Sequence, residues 1–239
     1  MDEEVALIDT PLVADPDAEE ELGAAEAEAI ADEDLRGSRL LLVRRAAEPI
    51  DVDGAPGGLV QLVCTFQPAD GARFASAQFR LRFKTPGGIR IIDLAPHVID
   101  DPNPVELTLN RKGQLSVKNL SVEPSVEISG SKKFVRYHCS VQGSGEGTSL
   151  GQWTFVENPD RRDGIGREQV LTVTLPVTGA VTGEVIVGAR LVRRGVGGAV
   201  DAIRDLILGP RPDQRSYPVA FEIPAQPSPS RLERFLRLF

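Results

Sequence analysis

Between Phe74 and Lys84 the chain alternates without interruption, Ala75, Ala77, Phe79, Leu81 and Phe83 against Ser76, Gln78, Arg80, Arg82 and Lys84. Strand side chains point to opposite faces in turn. A period of two over this length therefore specifies a half-buried strand with one wet face, where a helix would repeat its apolar residues every three or four positions. The same period recurs at Leu59–Phe66 (Val60, Leu62, Cys64), at Glu184–Val192 (Val185, Val187, Ala189, Leu191) and at Tyr217–Ile223 (Tyr217, Val219, Phe221, Ile223). Shorter candidate strands are Arg39–Val43, Ile89–Leu94, Val105–Leu109, Leu115–Val117, Val122–Ile128, Phe134–Val141, Gly151–Val156 and Gln169–Val177. Pro86-Gly87-Gly88 predicts a turn that returns Ile89–Leu94 along the long strand, and Asn110-Arg111-Lys112-Gly113 predicts a hairpin loop. With 23 Gly and 18 Pro to turn the chain, this succession predicts a mainly β fold, an antiparallel β-sandwich of about ten strands. Its expected span is residues 38–224, as one sandwich or as two split near Pro102–Pro104 or Gly130.

One segment breaks the pattern. Ala199–Leu208 sets Val200, Ile203, Leu206 and Ile207 near helical spacing before Gly209-Pro210, which predicts one short inserted helix.

Charge divides the chain. Residues 1–35 hold 14 of the 35 acidic residues and no Lys or Arg. The remainder is net basic. Residues 1–37 therefore read as an acidic leader, flexible or weakly helical, and suited to screen a basic surface. An acidic start without an apolar h-region is not the pattern of a secretory signal, and no run approaches the roughly 20 apolar residues of a membrane span. The expected compartment is the cytoplasm, with Cys64 and Cys139 reduced.

Residues 225–239 form a Pro-rich linker and a tail. Ser230 and Glu233 have capping-box spacing, and Leu232, Phe235, Leu236 and Phe239 follow at helical intervals, with Arg231, Arg234 and Arg237 between them. A short C-terminal amphipathic helix is expected. A helix this short needs a surface to cover its apolar face: a protein partner's groove, its own sheet, or an anionic membrane. Leu232, Phe235, Leu236 and Phe239 are the candidate partner-binding residues.

A basic surface is expected from Arg80, Arg82 and Lys84 on one strand face and from Lys132, Lys133 and Arg136. Single-strand nucleic-acid binders interleave such charge with stacking aromatics. Aromatic residues are 5% of this chain and none alternates with these positions, so nucleic acid is not the expected ligand.

The chemistry-bearing motifs are sparse. Gly143–Thr148 lacks the Lys of a P-loop and precedes a strand, so it reads as a flexible hairpin loop. His97, His138, Cys64 and Cys139 have no short ligand spacing, and no Gly-x-Ser-x-Gly elbow occurs. No metal, cofactor or catalytic residue is expected. Asp100, Asp101, Asp160 and Asp163 are loop carboxylates of the kind that hold calcium, although Arg161 and Arg162 sit among the second pair. The polar loop after Trp153, residues 158–165, is a further place for function. The expectation is a non-catalytic protein-interaction or adaptor module with a tethered C-terminal docking helix. The alternatives are a sugar- or calcium-binding sandwich using its end loops, and a peripheral membrane-associating module.

Overall fold

The computed structural model describes residues 4–14, 37–84, 88–100, 105–109, 115–119, 132–136, 138–193, 202–208 and 216–225. They form fifteen strands: β1 (Val5–Ala14), β2 (Arg39–Val52), β3 (Ala55–Gln67), β4 (Ala72–Phe83), β5 (Asp93–Ala95), β6 (Val98–Asp100), β7 (Val105–Leu109), β8 (Leu115–Asn119), β9 (Lys132–Arg136), β10 (Cys139–Ser144), β11 (Leu150–Val156), β12 (Glu168–Leu175), β13 (Gly179–Arg193), β14 (Ala202–Leu208) and β15 (Tyr217–Ile223). All pairings are antiparallel. One layer runs β5-β12-β3-β2-β1, and the other runs β14-β13-β4-β11-β10-β6 with β15 also on β13. The expected antiparallel sandwich is the observed architecture. A separate three-stranded sheet, β8-β7-β9, contains the expected pairing of 105–109 with 115–117, extended to Asn119 and joined by β9.

The two layers share one core that extends from Ile8 to Ile223 and includes Val60, Leu62, Cys64, Phe79, Leu81, Trp153, Val185, Leu191 and Phe221. Burial on this scale is the main favourable term in folding. Each long strand contributes alternate residues, as its period requires: in β15, Val219, Phe221 and Ile223 are buried and Ala220 and Glu222 are exposed.

Both sides of the sandwich are closed where the chain turns the corner from one layer to the other. On one side β1 pairs with β2 through Val5–Pro11 and then with β14 through Leu12–Ala14. On the other, β5 pairs with β12, and after Pro96 and His97 the chain pairs again as β6 with β10. Each device covers ladder groups that an open sheet edge would expose.

Four expectations are corrected. Residues 5–14 are not a flexible or helical leader but strand β1, because Ile8 and Leu12 enter the core and the backbone completes two ladders. Residues 15–36 lie outside the described residues. Ala202–Leu208 is strand β14 rather than part of a helix, since it fills the place between β1 and β13 where its backbone pairs on both sides. Ile89–Leu94 does not return along β4. Ile89 and Ile91 are buried without forming a ladder, and β5 begins only at Asp93, against β12. The run Phe134–Val141 is split between β9 and β10. Val122–Ile128 and the tail helix with Leu232, Phe235, Leu236 and Phe239 lie outside the described residues.

Candidate functional site

The alternation of β4 changes phase at its start. Arg190 faces Ser76 across the ladder, but the next residue, Leu191, faces Phe74, so Ala75 is the extra residue of a β-bulge. Phe74 thereby turns inward and is 3% exposed, where strict alternation would have buried Ala75. The bulge also re-aims two carbonyls. Ala75 O accepts the Glu157 N–H at 2.8 Å and Phe74 O accepts the Ile165 N–H at 2.9 Å. Both ends of the loop after β11 are thus pinned to the same kink.

The loop is built from within as well. Glu157 Oε2 accepts Arg73 Nε at 2.9 Å and the Gly164 N–H at 3.0 Å. Asn158, only 3% exposed, accepts the Asp160 N–H on Oδ1 at 3.0 Å and the Arg162 N–H on its carbonyl at 2.8 Å. This is an Asx turn, the local alternative that Asn offers the backbone. Arg162 has φ 53° and Gly164 φ 86°, the left-handed region that glycine enters without strain. Arg161 Nε donates to Asp163 Oδ2 at 2.9 Å. Between this loop and the end of β6 and β10 lies a cleft of about 420 Å³, lined among others by Ile99, Val141, Phe155, Asn158, Arg161 and Gln169. Ile99 is 41% exposed and neighbouring Val98 59%, on the last strand of that layer. The sequence singled out the loop. It did not show the cleft, because Ile99 is 56–70 positions from the other wall.

The predicted basic face is largely paired. Arg80 Nε donates to Gln152 Oε1 at 3.2 Å. Arg82 and Lys84 both reach Glu184 on β13, at 3.4 and 2.5 Å. Glu184 is 8% exposed. The hydrogen bond from Lys84 is the largest influence holding its carboxyl below the usual value, against burial, which pushes it up. Lys132, Lys133 and Arg136 lie in β9, in the other sheet.

The Cys64 thiol is not set up as a nucleophile. Cys64 is buried, and burial alone pushes its thiol far above the ordinary range. A nucleophile needs the opposite shift. Cys139 is exposed and its Sγ donates to Val141 O at 3.2 Å. Of the calcium candidates, Asp163 is engaged by Arg161, Asp100 lies in β6 and Asp101 falls outside the described residues. One constellation missed in sequence is Asp93, His97 and Glu146, whose side chains converge.

No family model and no curated protein matches the chain. Among solved structures it is similar to Clostridium perfringens delta-toxin, at TM-score 0.34 and 10% identity over 77% of this chain and 83% of that one. A structure titled "Pore forming protein" is similar at TM-score 0.33 and 11% identity, over 82% of this chain and 88% of that one. Both likenesses are too remote to assign an activity to this chain.

Proposed function

We propose that this chain is a non-catalytic interaction module that holds a protein partner in the cleft beside residues 157–167, with the C-terminal segment carrying Leu232, Phe235, Leu236 and Phe239 as a second, tethered attachment. The observation that carries this reading is the double anchoring of the loop on the bulge of β4. A wall fixed in advance loses little freedom when a partner binds. Ile99 supplies exposed apolar surface across the cleft from it, and Arg161 and Asp163 supply a polar rim. That division is the usual anatomy of an interface.

The test is quantitative affinity capture from the native lysate with four baits: the full chain, Ile99→Arg, Arg161→Glu, and a chain ending at Ser228. A partner held by the full chain, reduced by both cleft variants and weakened by truncation, supports the reading. Identical partner sets for all four baits overturn it.

A second reading, peripheral membrane association, has one observation of its own. The β7–β8 ladder sets Leu107 against Val117 and Leu109 against Leu115, while the alternate rungs set Glu106 against Lys118 and Thr108 against Ser116. In the same sheet β9 sets Phe134 against Leu107, and Lys132 and Arg136 against Leu109 and Val105, and a face that mixes apolar and basic positions suits an interface between water and anionic lipid. Sedimentation with anionic and neutral vesicles, together with dye release, tests it. Binding to anionic vesicles that Leu107→Arg reduces supports it, and equal failure to bind both vesicle types removes it.

A further inference from the structure

Residues 91–97, which lead into β5 and on to β6, lie against the hairpin of β10 and β11. Three backbone hydrogen bonds hold the two together: Gly143 N–H to His97 O at 2.7 Å, Gly147 N–H to Ile91 O at 2.8 Å, and Ile91 N–H to Thr148 O at 2.8 Å. The approach is close enough that a Cβ at Gly143 would stand 2.3 Å from Pro96 O. Within the hairpin, Thr148 Oγ1 accepts the Leu150 N–H at 3.1 Å and lies 2.8 Å from Gly145 O. The segment read from its glycines as a flexible loop is thus a hydrogen-bonded platform.

On this platform Asp93 and His97, four positions apart, meet Glu146 from the hairpin. His97 Nε2 is 3.2 Å from Asp93 Oδ1 and 3.4 Å from Glu146 Oε1. All three ligand atoms lie within 4.8 Å of one another. Two zinc bonds of about 2.0–2.1 Å at a tetrahedral angle set their donor atoms roughly 3.3–3.4 Å apart. The two spacings to the imidazole match that edge.

We propose that Asp93, His97 and Glu146 form a binding site for one divalent cation of the zinc class, with three protein ligands and the remaining position open to solvent. Two carboxylates against one imidazole leave a formal negative charge whichever way the ring is protonated, so the cluster is completed by a cation. Exposed ion pairs alone contribute little. The imidazole selects the class: calcium and magnesium take oxygen ligands, whereas a mixed nitrogen and oxygen set suits zinc and its neighbours. All three side chains are about half exposed, at 51–56%, which leaves an entry path. A bound ion would clip the connection that closes one side of the sandwich to the hairpin beside it.

The experiment is calorimetric titration of the full chain with zinc chloride and, separately, calcium chloride, with cobalt(II) absorption as a reporter of tetrahedral geometry. The expected result is one saturable equivalent of zinc, no calcium binding, and a rise in Tm with zinc. His97→Ala removes the binding, and Glu146→Gln, a conservative change on the exposed hairpin, weakens it about tenfold or more. Circular dichroism checks that each variant is folded, and Glu146→Gln carries the test should His97→Ala not fold. The proposal is overturned when the wild-type chain shows no saturable zinc binding or when Glu146→Gln binds zinc as the wild type does. It is equally overturned when binding survives in His97→Ala and disappears in Cys139→Ser, which would assign the metal to the neighbourhood of His138.

Discussion

Arg73 Nε donates to Glu157 Oε2 at 2.9 Å, and the same oxygen accepts the Gly164 N–H at 3.0 Å. One carboxylate therefore ties the bulged start of β4 to the far side of the loop that walls the cleft. The side chains are 18% and 10% exposed, so the pair is largely withdrawn from water. Glu157→Ala removes both bonds and leaves Arg73 short of a partly buried anion. We expect a loss of about 2–3 kcal/mol in urea unfolding, followed by the fluorescence of the sole tryptophan, Trp153. Amide exchange at Gly164 and Ile165 should quicken more than in the strands. Unchanged protection there would mean the bulge carbonyls alone hold the loop.

Glu184 gives the fold an acid-sensitive contact. Lys84 chiefly, then Ser216 and Arg82, hold its folded pKa below the ordinary 4.5, while burial opposes them. The unfolded chain then takes up the proton first. The stabilisation is complete above about pH 4.5 and is lost as pH falls through the lower folded value. Urea midpoints measured from pH 7 to pH 3 should drop on acidification in the wild type and less steeply in Glu184→Gln. Parallel curves would exclude Glu184 as the source.

The two thiols should separate by accessibility. Iodoacetamide at neutral pH is expected to label Cys139, which is exposed, and to leave Cys64 unmodified until denaturant is added. Burial keeps the Cys64 thiol protonated, and only the thiolate reacts. Mass spectrometry of the labelled peptides reads the outcome directly. Labelling of Cys64 in the native state would show that β3 opens.

Gly143 is required by space. A methyl group there meets the Pro96 carbonyl oxygen, which is backbone and has no rotamer to change. Gly143→Ala should destabilise by about 1–3 kcal/mol, the range of overpacked sites. Gly188→Ala in β13 is the control, since nothing lies within 4 Å of a Cβ placed there. Equal Tm values for the two variants would contradict the contact.

Strands whose period is long enough to read locally are legible in the chain alone. Phe79, Leu81 and Phe83, then Val185, Val187 and Leu191, then Val219, Phe221 and Ile223, all lie on the buried face that their alternation implies. Alternation is a property of one strand, so no partner is needed to see it. What a partner supplies stayed hidden. Ile203, Leu206 and Ile207 have near-helical spacing, yet β14 is extended because β1 and β13 offer it two ladders. Ile8 and Leu12 were masked by the charge around them until β2 and β14 gave them a core to enter. The bulge at Ala75 exists only in the register with Leu191, and with it the pinned loop and its cleft. Glu146 meets Asp93 and His97 because residues 91–97 are hydrogen-bonded along the β10–β11 hairpin, about 50 positions further on in the chain. Periodicity is written along the chain. Register, closure and the meeting of distant side chains depend on long-range pairing, which only the folded chain decides.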